Sequence, residues 1–102
     1  MNRIQLHKRV NKKLAKTKQL ILNSFERTLT LLELNPYLGD LIPRKNISKK
    51  VILFYSTNKL FRLPLTNYWR LVYTVIKDEN KTVVLILEFF NHKDYNKRFG
   101  YK

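Results

Sequence analysis

The sequence predicts an α+β domain, and three observations carry the prediction. Residues 3–34 hold neither proline nor glycine and are dominated by helix formers such as Lys, Leu and Arg. Residues 60–90 change to a period-two alternation of bulky residues, interrupted by the polar run "KDENK" (77–81). Between the two regions lies "NPYLGDLIP" (35–43), where Asn-Pro and Gly-Asp are turn formers. The expected architecture is an N-terminal helical hairpin packed on an antiparallel β-meander of three to four strands, one domain spanning residues 1–102.

Each element has its own signal. Ile4, Val10 and Leu14 form one short apolar stripe, and Ile21, Leu22, Phe25, Leu29 and Leu32 form a longer one at helical spacing. A break near Thr17 divides two helices, with the Thr17 hydroxyl as the expected cap of the second. Pro36 discourages helix at Asn35 and closes the helical region. "KKVILFYSTN" (49–58) reads equally as strand or short helix, because a brief apolar run does not distinguish them. In "LFRLPL" (60–65), Phe61, Leu63 and Leu65 share one face, while Leu60 and Arg62 share the other. Pro64 lacks a donor and marks an edge at that point. Thr66 and Asn67 make a tight turn into "YWRLVYTVI" (68–76). There Trp69, Leu71, Tyr73 and Val75 face one way, and Arg70, Val72, Thr74 and Ile76 the other. After the turn at "KDENK", "TVVLILEFF" (82–90) is the last strand.

If the aromatic set packs on the helices, Arg70 projects from the open face of a two-layer domain, where a ligand could lie. The plainer alternative is that Arg70 lays its alkyl stem on the sheet and ends in water.

Composition narrows the partners. Twenty-one Lys and Arg against seven Asp and Glu leave a formal charge of +14 and a pI near 10.3. Such an excess attracts polyanions and is the footprint expected of a protein that meets nucleic-acid phosphates. A Lys- and Asn-rich proteome would raise the pI without that meaning. An apolar fraction of 44%, with six Phe and six Tyr, suits a folded domain rather than a disordered one. The absence of cysteine excludes disulfides and thiolate metal sites and fits a reducing cytoplasm. His7 and His92 lack ligand spacing, so neither metal nor other cofactor is expected. The longest apolar runs are too short to span a bilayer, and the N-terminus shows no secretory h-region.

"LNPYLGDLIP" after two helices, then "LFRLPL", "WRLVYTV" and a last strand running into "NHKDYNKRFGYK", form an ordered set. In that order and spacing the chain resembles the RelE/ParE superfamily of toxins from type II toxin–antitoxin systems, most closely its RelE-like branch. The resemblance covers roughly residues 14–102 by a pattern argument. It implies a cytoplasmic, ribosome-dependent mRNA endoribonuclease (an mRNA interferase) that cuts mRNA in the ribosomal A site. It also implies a cognate RelB-like antitoxin, acidic or amphipathic, that holds the toxin inactive. Family members often begin with a strand before the first helix. Here helical character starts almost at Met1, which leaves that strand absent or confined to residues 2–6. The ParE-like branch shares the fold and inhibits DNA gyrase, and a non-catalytic RNA-binding module is a third reading.

The resemblance also implies roles. Arg70 matches the strand arginine that lies against the scissile phosphate, and His92 and Lys93 match the basic pair after the last strand. Tyr95 and Tyr101 are candidates for a tyrosine that stacks on a base or assists the chemistry. Lys59 and Arg62 match basic residues on and before the preceding strand, and Lys97 and Arg98 extend the RNA-contacting tail. This inventory suits metal-free cleavage, in which a 2′-OH attacks the adjacent phosphorus and negative charge gathers on non-bridging oxygens. Arg supplies a fixed fork of donors for those oxygens, and Lys a compact charge. A group titrating near neutrality can carry the protons, which points to His92. Glu88 becomes a candidate base if it faces the site. The tail is alternatively a basic strand end, or a phosphate-contacting arm without catalysis.

Overall fold

The computed structural model describes residues 2–100 and has an α+β architecture. Strand β1 (Arg3–Leu6) leads into helices α1 (Lys8–Leu14) and α2 (Gln19–Leu34). A two-residue strand, β2 (Asp40–Leu41), is followed by helix α3 (Lys49–Tyr55). Strands β3 (Phe61–Pro64), β4 (Arg70–Asp78) and β5 (Lys81–Phe90) then succeed one another, and helix α4 (His92–Phe99) closes the chain.

The five strands form one sheet in the order β1-β5-β4-β3-β2. From β2 to β5 every pairing is antiparallel, but β1 runs parallel to β5, with Arg3 opposite Val83 and Leu6 opposite Ile86. The sheet is therefore mixed rather than a pure meander, and the initial strand lies inside residues 2–6. Residues 49–58, ambiguous in sequence, contain a helix. Ser48 caps it by accepting from the Val51 amide at 3.2 Å.

The alternation on β3 and β4 divides the interior in two. Phe61, Leu63, Leu65, Leu71 and Tyr73 pack with Val10, Ile21, Phe25 and Leu32 of α1 and α2. Leu60 and Val72, on the opposite parity, pack with Val51 and Tyr55 of α3 and with Tyr95 and Phe99 of α4. Both faces are thus covered, which corrects the two-layer expectation and its open face. The basic tail is not a strand end either. Asn91 caps α4 by accepting from the Asp94 amide at 2.8 Å, and Gly100 ends it in the left-handed conformation at φ 70°.

The register slips between Val72 and Tyr73, where Glu88 is followed as partner by Ile86 and Leu87 is skipped. This bulge inverts the parity of the last turn of β5. Phe89 consequently joins the α1–α2 core, while Phe90 joins the α3–α4 core.

Thr17 does not cap α2. Its hydroxyl donates to the Lys13 carbonyl at 2.6 Å, and the capping position belongs to Lys18 without a side-chain bond. Helix α1 is capped by His7, whose Nδ1 accepts from the Arg9 amide at 3.1 Å. Burial and the neighbouring Arg9 and Lys8 charges hold the His7 pKa below its ordinary value, so the neutral acceptor form is favoured.

Beyond Ile86, β1 no longer accompanies β5. There Arg9 Nη1 donates to the Leu87 carbonyl at 3.1 Å and Lys13 Nζ to the Phe89 carbonyl at 2.6 Å. Four residues of helix rise about 6 Å and two residues of strand about 6.8 Å, so side chains four apart on α1 meet carbonyls two apart on β5.

Candidate functional site

A surface notch of about 450 Å³ opens where β2, β3, the start of β4 and the first turns of α4 meet. Its lining includes Asp40, Arg62, Arg70, His92, Tyr95 and Asn96. Strand register explains why the two arginines converge. Arg62 is opposite Val72 and Pro64 is opposite Arg70, so both arginines stand on the α3–α4 face as diagonal neighbours, about 7–8 Å apart at the backbone. Pro64 lies beyond the reach of β2, which pairs only with Phe61 and Arg62, so its missing donor breaks no β2–β3 bond. Arg70 is opposite Phe90, one residue before the Asn91 cap, and this places His92 and Tyr95 of α4 around it.

Within the notch, Arg62 Nη1 donates to the Tyr95 hydroxyl at 3.1 Å, and Arg70 Nη1 donates to the Trp69 carbonyl at 3.3 Å. His92 is exposed on the first turn of α4, with its Nε2 3.1 Å from Asn96 Nδ2. The arrangement offers two guanidinium forks, an imidazole and a phenol around one opening.

Tyr95 enters differently from its expected role. Its ring is only 3% exposed and packs against Phe99 at 4.9 Å and Phe90 at 6.3 Å. Stacking on a base requires a bare ring face, so Tyr95 brings the notch its hydroxyl alone. The exposed aromatic here is Tyr68, at 74% exposure, whose ring meets His92 edge-on at 6.3 Å. Tyr68 and Asn67 both hold left-handed backbone, at φ 63° and 56°, a costly conformation for non-glycine residues. Two anchors enforce it: Leu65 N donates to the Trp69 carbonyl at 2.8 Å, and Thr66 N to Ser24 Oγ at 3.0 Å. The sequence reading missed Tyr68, although it shares the strand parity of Arg70 two residues on.

The remaining candidates lie elsewhere. Lys93 is exposed on α4 outside the lining, and Lys59 is exposed before β3, where its carbonyl accepts from Thr74 Oγ1 at 2.8 Å. Lys97 and Arg98 face a second notch across α4. Glu88 faces that second notch too, with Oε1 accepting from the Tyr55 hydroxyl at 2.8 Å and from Arg98 at 3.3 Å. It is therefore not a base for the first notch. Burial, then the Glu88 carboxylate, pushes the Tyr55 pKa far above its ordinary value and keeps the phenol a donor. Tyr101 lies outside the described residues.

Among the described residues, no group of three or more His, Asp and Glu side chains is placed to hold a metal ion. Among them also, no helix is long and apolar enough to cross a membrane. No family model matches the chain, and neither a curated protein nor a solved structure matches it.

Proposed function

We propose that this chain is a RelE-like toxin, a ribosome-dependent endoribonuclease that cleaves mRNA in the A site and is neutralised by an acidic or amphipathic antitoxin. The observation that carries the reading is the first notch. Arg62 and Arg70 of the strands and His92 and Tyr95 of α4, each a candidate from the resemblance, line a single opening. The helical pair α1–α2 on one face of consecutive antiparallel strands, with β1 before it, supports the RelE-like form of the fold.

In the proposed reaction the RNA 2′-oxygen attacks the adjacent phosphorus and the bond to the 5′-oxygen breaks. The products are a 2′,3′-cyclic phosphate and a 5′-hydroxyl. Arg70 and Arg62 donate to the non-bridging oxygens as charge accumulates. His92 holds or moves a proton at the reacting oxygens. Tyr68 provides the exposed face for a base, a contact worth about 1–3 kcal/mol. Ribosomal RNA supplies the remaining orientation of the message, consistent with so small a catalytic set.

The test is primer extension on an mRNA translated by purified ribosomes, with wild type and Arg70→Ala compared. Ribosome-dependent cuts that fall at least about 100-fold in the variant support the proposal, the scale seen when one donor to a transition-state oxyanion is removed. Intact message with arrested growth would redirect attention to gyrase. Intact message and healthy cells would leave a binding module.

A further inference from the structure

Helix α4 separates two openings. The second, about 480 Å³, lies on the opposite flank from the arginine–histidine notch and is lined by Lys13, Lys50, Lys97 and Arg98 together with Glu88 and Asp94. Four cations face two carboxylates, and one of those is already engaged. Glu88 Oε1 accepts from Tyr55 at 2.8 Å and from Arg98 at 3.3 Å.

The cations come from three separate elements and two of them are held in place. Arg98 donates to the Tyr55 hydroxyl at 2.7 Å, and its guanidinium carbon lies 5.0 Å from the Phe54 ring centre and 5.3 Å from that of Phe90. Lys13 Nζ is fixed by the Phe89 carbonyl and sits 5.2 Å from the ring centres of both Phe89 and Phe90. Burial lowers the Lys13 pKa, while the Glu88 and Asp94 charges act to raise it. Between the two openings α4 exposes His92, Lys93, Asp94 and Lys97, a crest with no apolar residue on it and three basic side chains to one carboxylate.

We infer that the second opening is a phosphate-binding site, filled by the backbone of a single-stranded polynucleotide that crosses α4 from the first notch. The inference rests on RNA being the ligand of that first notch. Phosphate contacts of this kind fix register and orientation and are indifferent to base sequence. The two openings are separated by the width of one helix, about 10 Å, a distance that a short oligonucleotide bridges.

The experiment titrates the ¹⁵N-labelled full chain with a single-stranded RNA heptamer and, separately, with inorganic pyrophosphate. Wild type is compared with Lys50→Gln/Lys97→Gln and with a charge-matched control, Lys77→Gln/Lys81→Gln, at the far β4–β5 turn. All four lysines are exposed, so folding is preserved and checked by the amide spectrum. The inference expects RNA to shift the amides of Val51, Lys97 and Arg98 as well as those around Arg70. It also expects the notch variant, but not the control, to bind about ten-fold more weakly, with a salt slope smaller by about two. RNA shifts confined to the Arg70 side, with the notch variant binding as wild type, would overturn it and leave the first notch intact. Equal weakening by the control would reduce it to net charge and overturn it as well. Pyrophosphate binding in the second opening without RNA binding would keep the anion site, while the crossing strand and the RNA reading would both fall. Failure of both probes would remove the site.

Discussion

The two faces of the sheet bury sets of similar size and treat polar atoms differently. Under α1 and α2, the buried polar side chains bond to backbone: the Tyr73 hydroxyl accepts from the Gly39 amide at 2.9 Å, Ser24 Oγ accepts from the Thr66 amide at 3.0 Å, and the Thr28 hydroxyl donates to the Ser24 carbonyl at 2.9 Å. Under α3 and α4, two buried tyrosines each turn a hydroxyl toward an arginine at the rim of an opening: Tyr95 to Arg62 and Tyr55 to Arg98. The first face closes on itself and supplies rigidity. The second is held by the same kind of packing but presents its polar atoms to solvent-facing notches. The closed face and the candidate site thus lie on opposite sides of one sheet, and a single side chain can be changed on either side to test the division.

The largest expected effect is on the closed face. Phe25→Ala removes a ring 5.2 Å from Phe89 and 1% exposed, and should cost about 3–5 kcal/mol in a urea melt. A loss below 1 kcal/mol would mean that the α1–α2 face does not carry the stability.

Next is Gly39→Ala. An added Cβ would lie 2.6 Å from the Arg62 carbonyl and 2.8 Å from the Tyr73 hydroxyl, so backbone must shift, at a cost of about 1–3 kcal/mol. Because Arg62 lines the first notch, RNA affinity should fall along with thermal stability. A variant as stable as wild type would show that the loop has room.

A matched pair sharpens the contrast. Tyr73→Phe strands a backbone donor and should cost about 1–3 kcal/mol, whereas Tyr95→Phe removes a contact to Arg62 at the rim of an open notch, where water can replace it, and should cost less than about 1 kcal/mol. The functional order should reverse, with Tyr95→Phe slowing mRNA cleavage more than Tyr73→Phe. Equal stability losses would erase the distinction between the faces.

The smallest effect concerns pH. The folded pKa of His7 is depressed, so its cap is fully present above the ordinary histidine value of about 6.5 and is lost as pH falls below it. Between pH 7.5 and 5.5, wild type should lose slightly more stability than His7→Asn, which caps at either pH, by under about 1 kcal/mol. Identical pH dependence would remove the cap from the account.

Much of this division is written locally in the chain. The period-two pattern of residues 60–65 and 68–76 sorts Leu60, Arg62, Arg70 and Val72 from Phe61, Leu63, Leu71 and Tyr73, as the two cores do. Two elements are left open by the sequence and a third goes unread, for different reasons. Strand β1 is four residues long and finds its parallel partner some 80 residues away, so no hairpin signal announces it. Helix α3 is decided by burial of Val51 and Tyr55 against the sheet, a tertiary effect. Helix α4 was legible and overlooked: Asn91, Asp94 and Gly100 are its capping residues, and Tyr95 and Phe99 its buried stripe at a spacing of four. The Leu87 bulge is hidden in "LILEFF", where apolar residues on both sides of Glu88 conceal the change of parity.

The pairing of Arg9 and Lys13 with the Leu87 and Phe89 carbonyls has a consequence for self-association. An unaccompanied strand edge is a template on which another chain can add a strand. Here two acceptors that such a chain would use are already occupied, and by side chains carrying charge. At the other edge β2 is two residues long, too short to guide a lengthy pairing. The margins of the sheet are thus limited by cations beyond Ile86 and by brevity at β2, which leaves the four residues of β1 as the longest edge on which a further strand could add.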